Sequence, residues 1–196
     1  MELICRAAAQ ADLPACCNVF ADSEIYERYF SAPGALARSL ENALNAGELY
    51  VACGSAGEVL GVMRIRAKGF CGLYPYLALI GAAPRARGRG VGHFLLAEFE
   101  AMARVQGAGR VALMVSDFNE KAQALYRSLG YWELGCPTDA VRKGVSELVI
   151  EDPGSAASHA PYAPSFFTST TVHSYKVDGL PEFSKSSCKL RPVVML

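Results

Sequence analysis

The stretch of residues 76–106 limits the possible folds more than any other part of the chain. Residues 76–82 form an unbroken apolar run, which suits a strand covered on both faces by helices. The run passes through Pro84 into the turn Arg87-Gly-Arg-Gly-Val-Gly92. Beyond it, Val91, Leu95, Phe99 and Met102, with Leu96 and Val105 flanking, recur at helical spacing. Residues 111–115 read as a second apolar strand. Strand, glycine turn, amphipathic helix and strand together predict a βαβ unit, and so an α/β class.

The neighbouring segments extend that unit. Residues 4–6 predict a short strand, followed by a helix capped near Asp12 with Pro14 in its first turn. Residues 35–46 predict another helix, and residues 48–53 and 59–66 a hairpin joined by Gly54-Ser-Ala-Gly57. Residues 119–129 predict a helix ended by Gly130, and residues 131–134 and 146–150 two closing strands. At Pro153 the composition changes. The last 44 residues hold five of the ten prolines and eight serines but only six of the 38 charged residues. This divides the chain into an α/β domain at 1–152 and a Pro/Ser-rich extension at 153–196, in which residues 168–177 alternate like a strand.

Charge narrows the choice of partner. Nineteen basic and nineteen acidic residues cancel, so no overall field favours nucleic acid or an anionic membrane. No apolar stretch reaches bilayer length and the N-terminus has no secretory pattern, so a cytoplasmic protein is expected. The seven cysteines are scattered and lack zinc spacing, and His93, His159 and His173 accompany no carboxylate cluster. Reduced, mostly buried thiols and no metal are therefore expected. Locally the balance is different: residues 59–97 contain no acid but six bases, Arg64, Arg66, Lys68, Arg85, Arg87 and Arg89. An anionic ligand suits that stretch.

The glycine turn offers the means to hold one. A helix N-terminus leaves several N–H groups without carbonyl partners and carries about half a positive charge. Glycines there let phosphate oxygens approach the backbone. The dinucleotide fingerprint would need Gly or Ala where His93 stands, and a P-loop would need Gly-Lys followed by Ser or Thr. Neither fits, and a glycine-rich bend without a ligand stays open on the turn alone.

A second motif lies one strand later: Asn119-Glu-Lys-Ala-Gln-Ala-Leu-Tyr-Arg-Ser-Leu-Gly-Tyr131. Together the two motifs resemble the GNAT superfamily of N-acetyltransferases. Arg87, Gly90 and Gly92 match its Arg/Gln-x-x-Gly-x-Gly/Ala element, and Asn119, Ala122, Leu125, Tyr126, Gly130 and Tyr131 match the later one. The likeness covers roughly residues 2–151, and the motif spacing is similar to that of ribosomal-protein alanine acetyltransferases. It implies a GNAT fold, a mixed central sheet of about six to seven strands with about four helices and splayed central strands. It also implies acetyl-CoA as cosubstrate. By resemblance, the backbone near Ile80 and Ala82 would bond the pantetheine arm, and the amides from Arg87 through Gly88, Arg89, Gly90 and Val91 to Gly92 would hold the pyrophosphate. Asn119 would contact the cofactor, an N–H near Ala82 would polarise the thioester carbonyl, and Tyr126 would protonate the leaving sulfur. Read without the family, Asn119 is an N-cap and Tyr126 a core aromatic.

The base is the missing part. Many relatives place a glutamate on the central strand, and this strand has none. Glu24, Tyr26 and Glu27, in Asp22-Ser-Glu-Ile-Tyr-Glu-Arg-Tyr29, are candidates for the acceptor wall, although the i,i+3 glutamates equally suit a solvated helix face. Deprotonating an amine of pKa about 8 at pH 7 costs roughly 1.4 kcal/mol, against about 4.6 for one of about 10.4. This favours acceptors of low pKa, either small molecules or peptide amines. The alternative is a non-catalytic acyl-CoA-binding or partner-binding module. A homodimer is compatible with the sequence.

Overall fold

The computed structural model describes residues 2–139 and 143–152. A seven-stranded sheet runs β1 (Ile4–Ala7), β2 (Leu49–Cys53), β3 (Val59–Phe70), β4 (Tyr74–Ala82), β5 (Val111–Ser116), β7 (Glu147–Asp152) and β6 (Trp132–Gly135) across its width. All neighbours are antiparallel except β4 and β5, so the sheet is mixed, as the family resemblance implies. Among the described residues five α-helices accompany it: α1 (Leu13–Val19), α2 (Glu24–Tyr29), α3 (Ala35–Asn45), α4 (Val91–Val105) and α5 (Glu120–Ser128). The extension from Pro153, with its predicted strand, His159 and His173, lies outside the described residues.

Core and sequence pattern agree with two adjustments. In α4, Val91, Leu95, Leu96 and Phe99 are buried as the 3.6-residue period demands, but the last turn buries Ala103 and leaves Val105 77 % exposed. Asp12 is the N-cap residue of α1, with Pro14 in the first turn as expected, but its side chain makes no capping hydrogen bond to that helix. Its carboxylate accepts the Ala9 N–H at 2.7 Å and pairs with Arg6, so it closes a 3-10 turn at Gln10–Asp12. Among the described cysteines, Cys5, Cys16 and Cys53 are buried, Cys17 is half-buried, and Cys71 and Cys136 are exposed.

Two local features open the middle of the sheet. In the β3–β4 ladder Arg64 pairs with Leu79 but Ile65 with Leu77, so β4 carries one extra residue, Ala78, in a bulge. A bulge bends and twists its strand. The β4–β5 ladder ends at that point: only Tyr76↔Ala112 and Leu77↔Leu113 pair. Beyond them the carboxyl ends of the two parallel strands part. At Gly61 on β3, a Cβ would come within 2.6 Å of Val91 Cγ1 and 2.9 Å of Leu95 Cδ1. This glycine therefore lets α4 lie close on the sheet, with its N-terminus at the opening.

Candidate functional site

The opening is lined first by backbone. Ala83 N–H donates to Leu60 O at 2.8 Å, which makes these two a hydrogen-bonded antiparallel pair. By alternation Gly81 and Leu79 also bond to β3, so Ile80 and Ala82 direct their N–H and C=O groups to the side that β5 has left. One of these groups is taken, because Arg87 Nε donates to Ala82 O at 3.3 Å.

At the end of β4 the chain passes Pro84–Ala86 into the glycine turn. Gly88 has φ 71° and Gly90, the residue before α4, has φ 84°. A side chain disfavours both angles, although a Cβ at either position would meet nothing within 4 Å. Conformation, not crowding in the fold, is what requires glycine here. Among the described residues, the N–H groups of Gly88, Gly90, Val91 and Gly92 donate no hydrogen bond. These four amides lie on an exposed turn at a helix N-terminus, the arrangement that accepts an anion.

The surrounding charge is more focused than the sequence suggests. Arg64 and Arg66 both pair with Glu48, at 2.6 and 3.6 Å, and Lys68 lies toward the other end of β3. Arg85, Arg87 and Arg89 are left at the turn. Arg87 also donates from Nη2 to Ala21 O at 3.4 Å, so its side chain braces the turn against the α1–α2 connection.

On the far side of the opening, Asn119 precedes α5 and its Oδ1 accepts the Ala122 N–H at 3.3 Å, the cap its position predicts. Gln123, for which the sequence gives no signal, donates from Nε2 to Ser116 O at 3.0 Å and Asp117 O at 2.9 Å, holding the helix to the strand end. Tyr126, three residues on, is 1 % exposed and packs tilted against Tyr131 at 5.6 Å between ring centres. Its hydroxyl is buried with no partner among the described residues. Burial pushes the Tyr126 phenol well above its ordinary pKa. Leaving such a hydroxyl unbonded costs roughly 1–3 kcal/mol.

Sequence reasoning missed a second polar group on the opposite face. Strand alternation puts Val115 and Leu148 on the Tyr126 face, where all three line one small cavity. Their neighbours Ser116 and Glu147, paired across β5 and β7, therefore point the other way. Tyr29, the last residue of α2, reaches them. Its hydroxyl donates to Glu147 Oε1 and lies 2.8 Å from Ser116 Oγ, which is itself 3.3 Å from Oε1. Glu147 is wholly buried, and its Oε2 has no partner among the described residues. Burial pushes its pKa up, the Tyr29 and Ser116 hydrogen bonds pull it down, and the Asp117 charge adds to the rise.

The segment before Tyr29 forms α2. Glu24 is exposed and paired with Arg28 at 2.6 Å, as a solvated helix face predicts. Tyr26 and Glu27 instead line a groove of about 520 Å³ with Asp22, Asn18 and Leu36, so the three candidates for the acceptor wall are not brought together. His93 lies just inside α4. Among the described residues no cluster of three or more His, Cys, Asp or Glu could hold a metal, and no helix is long and apolar enough to cross a membrane.

Residues 13–131 match the model of the acetyltransferase (GNAT) family. An uncharacterised protein of Mycobacterium leprae (strain TN) is 37 % identical over 99 residues, half of this chain but only 26 % of that protein. The crystal structure of ribosomal-protein-alanine N-acetyltransferase from Brucella melitensis is 26 % identical with a TM-score of 0.60, covering 76 % of this chain and 98 % of its own. That of nourseothricin acetyltransferase is 29 % identical with a TM-score of 0.50, covering 55 % and 65 %.

Proposed function

We propose, given that this chain belongs to the acetyltransferase (GNAT) family, that it is an N-acetyltransferase using acetyl-CoA and a primary amine in one ternary complex. The observation that carries this reading is the parted β4–β5 pair opening onto four unbonded amides at the start of α4. A dinucleotide-sized anion with an extended arm fits both halves of that feature. When bound, acetyl-CoA supplies an activated acetyl thioester.

Each residue has a task that its position allows. The amides of Gly88, Gly90, Val91 and Gly92 grip the pyrophosphate, Arg89 adds charge, and Arg87 holds the turn in shape through Ala82 and Ala21. Ile80 N–H and C=O and Ala82 N–H orient the arm as an added strand would be oriented. Because the pyrophosphate turn lies beyond the Ala82 end of β4, the thioester end lies back along the strand, at about 3.3 Å per residue. The N–H that polarises the carbonyl comes from this edge of β4, from near Ala82 or from the Ala78 bulge further back, since bulges leave a residue outside the ladder. Asn119 fixes the start of α5, the helix that carries Tyr126. Tyr126 gives its proton to sulfur as the nitrogen–carbon bond forms and the carbon–sulfur bond breaks. No residue need become acylated.

The acceptor stays at the level of a primary amine, from a small molecule or from a peptide or protein. The ribosomal-protein-alanine and nourseothricin acetyltransferases that this chain resembles span that range, and Tyr26 and Glu27 in the groove beside α2 suit a cationic group. Calorimetric titration with acetyl-CoA, followed by thiol-release assays with spermidine, kanamycin, amino acids and short peptides, tests the reading. Heat with thiol release for one acceptor supports it. Heat with no thiol from any amine leaves a binding module, and absence of heat removes the site.

A further inference from the structure

Tyr29, Ser116 and Glu147 form a polar group that the reaction as described does not use. Most of the described carboxylates are at least partly exposed, whereas Glu147 is wholly buried at the strand end bordering the opening. A buried carboxylate is costly unless it is paired or used, and no cation bonds this one: among the described residues Glu147 enters no ion pair, and Arg28, lying over Phe118 at 4.3 Å, pairs with Glu24. Two donors reach one oxygen and leave the other without a partner.

Its position relative to the thioester matters. Ser116 is three residues beyond Leu113, the last β5 residue laddered to β4, so the group sits where the strands have separated. Tyr126 lies on one face of the sheet and the Tyr29 group on the other. Tyr29 is only half-buried and belongs to α2, the helix whose Tyr26 and Glu27 line the open groove. Tyr29 is partly exposed whereas Glu147 is wholly buried, so of the two Tyr29 is the one an incoming amine can reach.

We infer that Tyr29 is the group that takes the proton from the attacking amine, handing its own phenolic proton to Glu147, which Ser116 holds in place. This rests on the transferase reading above and supplies the base that β4 lacks. The proton count closes. The amine nitrogen loses one proton to the Tyr29 oxygen as it bonds to the acetyl carbon, Tyr29 passes one to Glu147 Oε1, and sulfur gains one from Tyr126. Solvent later removes the proton from Glu147 and restores that of Tyr126. Tyr29 is thus the catalytic contact and Glu147 the positioning and proton-holding residue behind it.

The titratable groups facing Glu147 are Tyr29 from α2 and Asp117 at the end of β5. Burial, with Asp117 behind it, raises the carboxyl above the ordinary range, so the ionised form is lost as pH falls through that raised value. The acceptor amine also protonates as pH falls. For wild type, log kcat/KM plotted against pH should therefore steepen from slope one to slope two below the carboxyl titration. Glu147→Gln keeps the shape and still accepts the Tyr29 hydroxyl. It should lose about 10²–10³-fold in kcat, hold slope one throughout, and bind acetyl-CoA by calorimetry as wild type does. Tyr29→Phe, which leaves the carboxylate in place, should give the same loss, and it carries the test if Glu147→Gln does not fold. A second readout needs no ligand: the melting temperature of Glu147→Gln minus that of wild type should grow as pH rises through the carboxyl titration, because only wild type must then bury a charge. Wild-type turnover with both variants within about threefold of it, an unchanged acid limb in Glu147→Gln, or a melting difference independent of pH each overturns the inference while leaving the transferase reading intact. A wild type that turns over no amine overturns both.

Discussion

Replacing Tyr126 by Phe should move stability and activity in opposite directions, and both magnitudes follow from the unbonded hydroxyl. The ring sits in the core against Tyr131 at 5.6 Å and is 1 % exposed, so Phe keeps the aromatic contact and nearly all the buried area. The change is the loss of an oxygen that has given up water without gaining a partner. That desolvation is worth roughly 1–3 kcal/mol, and the oxygen-sized gap left behind returns part of it. A net gain of about 1 kcal/mol is expected in the ligand-free protein, which for a domain of this size is a rise of about 2–4 °C in melting temperature. Turnover should fall by about 10²–10⁴-fold, the usual contribution of a positioned general acid. Since burial holds the phenol protonated well above its ordinary range, this loss should be the same across neutral pH. Differential scanning fluorimetry reads the first effect, thiol release at saturating acetyl-CoA the second, and calorimetry should show acetyl-CoA affinity little changed. A drop of several degrees means that the hydroxyl is bonded in the fold. Unchanged turnover with a raised melting temperature means that the residue is only core.

The glycine turn and its support make separate predictions. Gly90→Ala should destabilise by about 1–2 kcal/mol, because φ 84° and not crowding is the obstacle, and should weaken acetyl-CoA binding measured by calorimetry. Gly92→Ala, inside α4 and with only Leu125 Cδ2 at 4.0 Å from the new Cβ, should stabilise the ligand-free protein by about 0.5–1 kcal/mol. Gly61→Ala should lower the melting temperature by an overpacking term of about 1–3 kcal/mol, since Val91, Leu95 and Gly81 O lie within 2.6, 2.9 and 3.1 Å of the Cβ. Peptide mapping after brief treatment with a thiol reagent at pH 8 should find exposed Cys71 and Cys136 modified, and Cys5 and Cys16 untouched because burial pushes both to about 12.

What the sequence makes legible depends on how local the cause is. The apolar run of β4, the period of α4, the glycines before it and the Asn119 cap each act within a few residues, and each appears where the pattern places it. The Ala78 bulge has no local mark, because a register shift is a relation between two strands and nothing in Leu77-Ala-Leu reveals it. Glu147 is harder still. Its chemistry requires β7 to lie between β5 and β6, an order absent from the chain, and requires Tyr29 to approach from 118 residues away. Read along the sequence, it is one polar residue at the start of a strand. The basic stretch misleads for the same reason: Glu48, outside it, lies across the ladder from Arg64 and Arg66 and neutralises part of the field.

The two faces of β5 show how one break in a sheet could serve both proposed proton transfers. Strand side chains alternate, so adjacent residues at the end of β5 must address opposite faces. Val115 therefore packs with Tyr126 and Ser116 meets Tyr29 and Glu147, within one residue of chain and beside the same opening. Sheet alternation thus keeps the proposed acid, Tyr126, and the proposed proton acceptor, Tyr29, on separate faces of the same strand end. The antiparallel β5–β7 ladder fixes this division over six residue pairs. A slip of one residue in that register would bring Glu147 to the Tyr126 face and remove the acceptor side of the site while leaving the pyrophosphate turn intact.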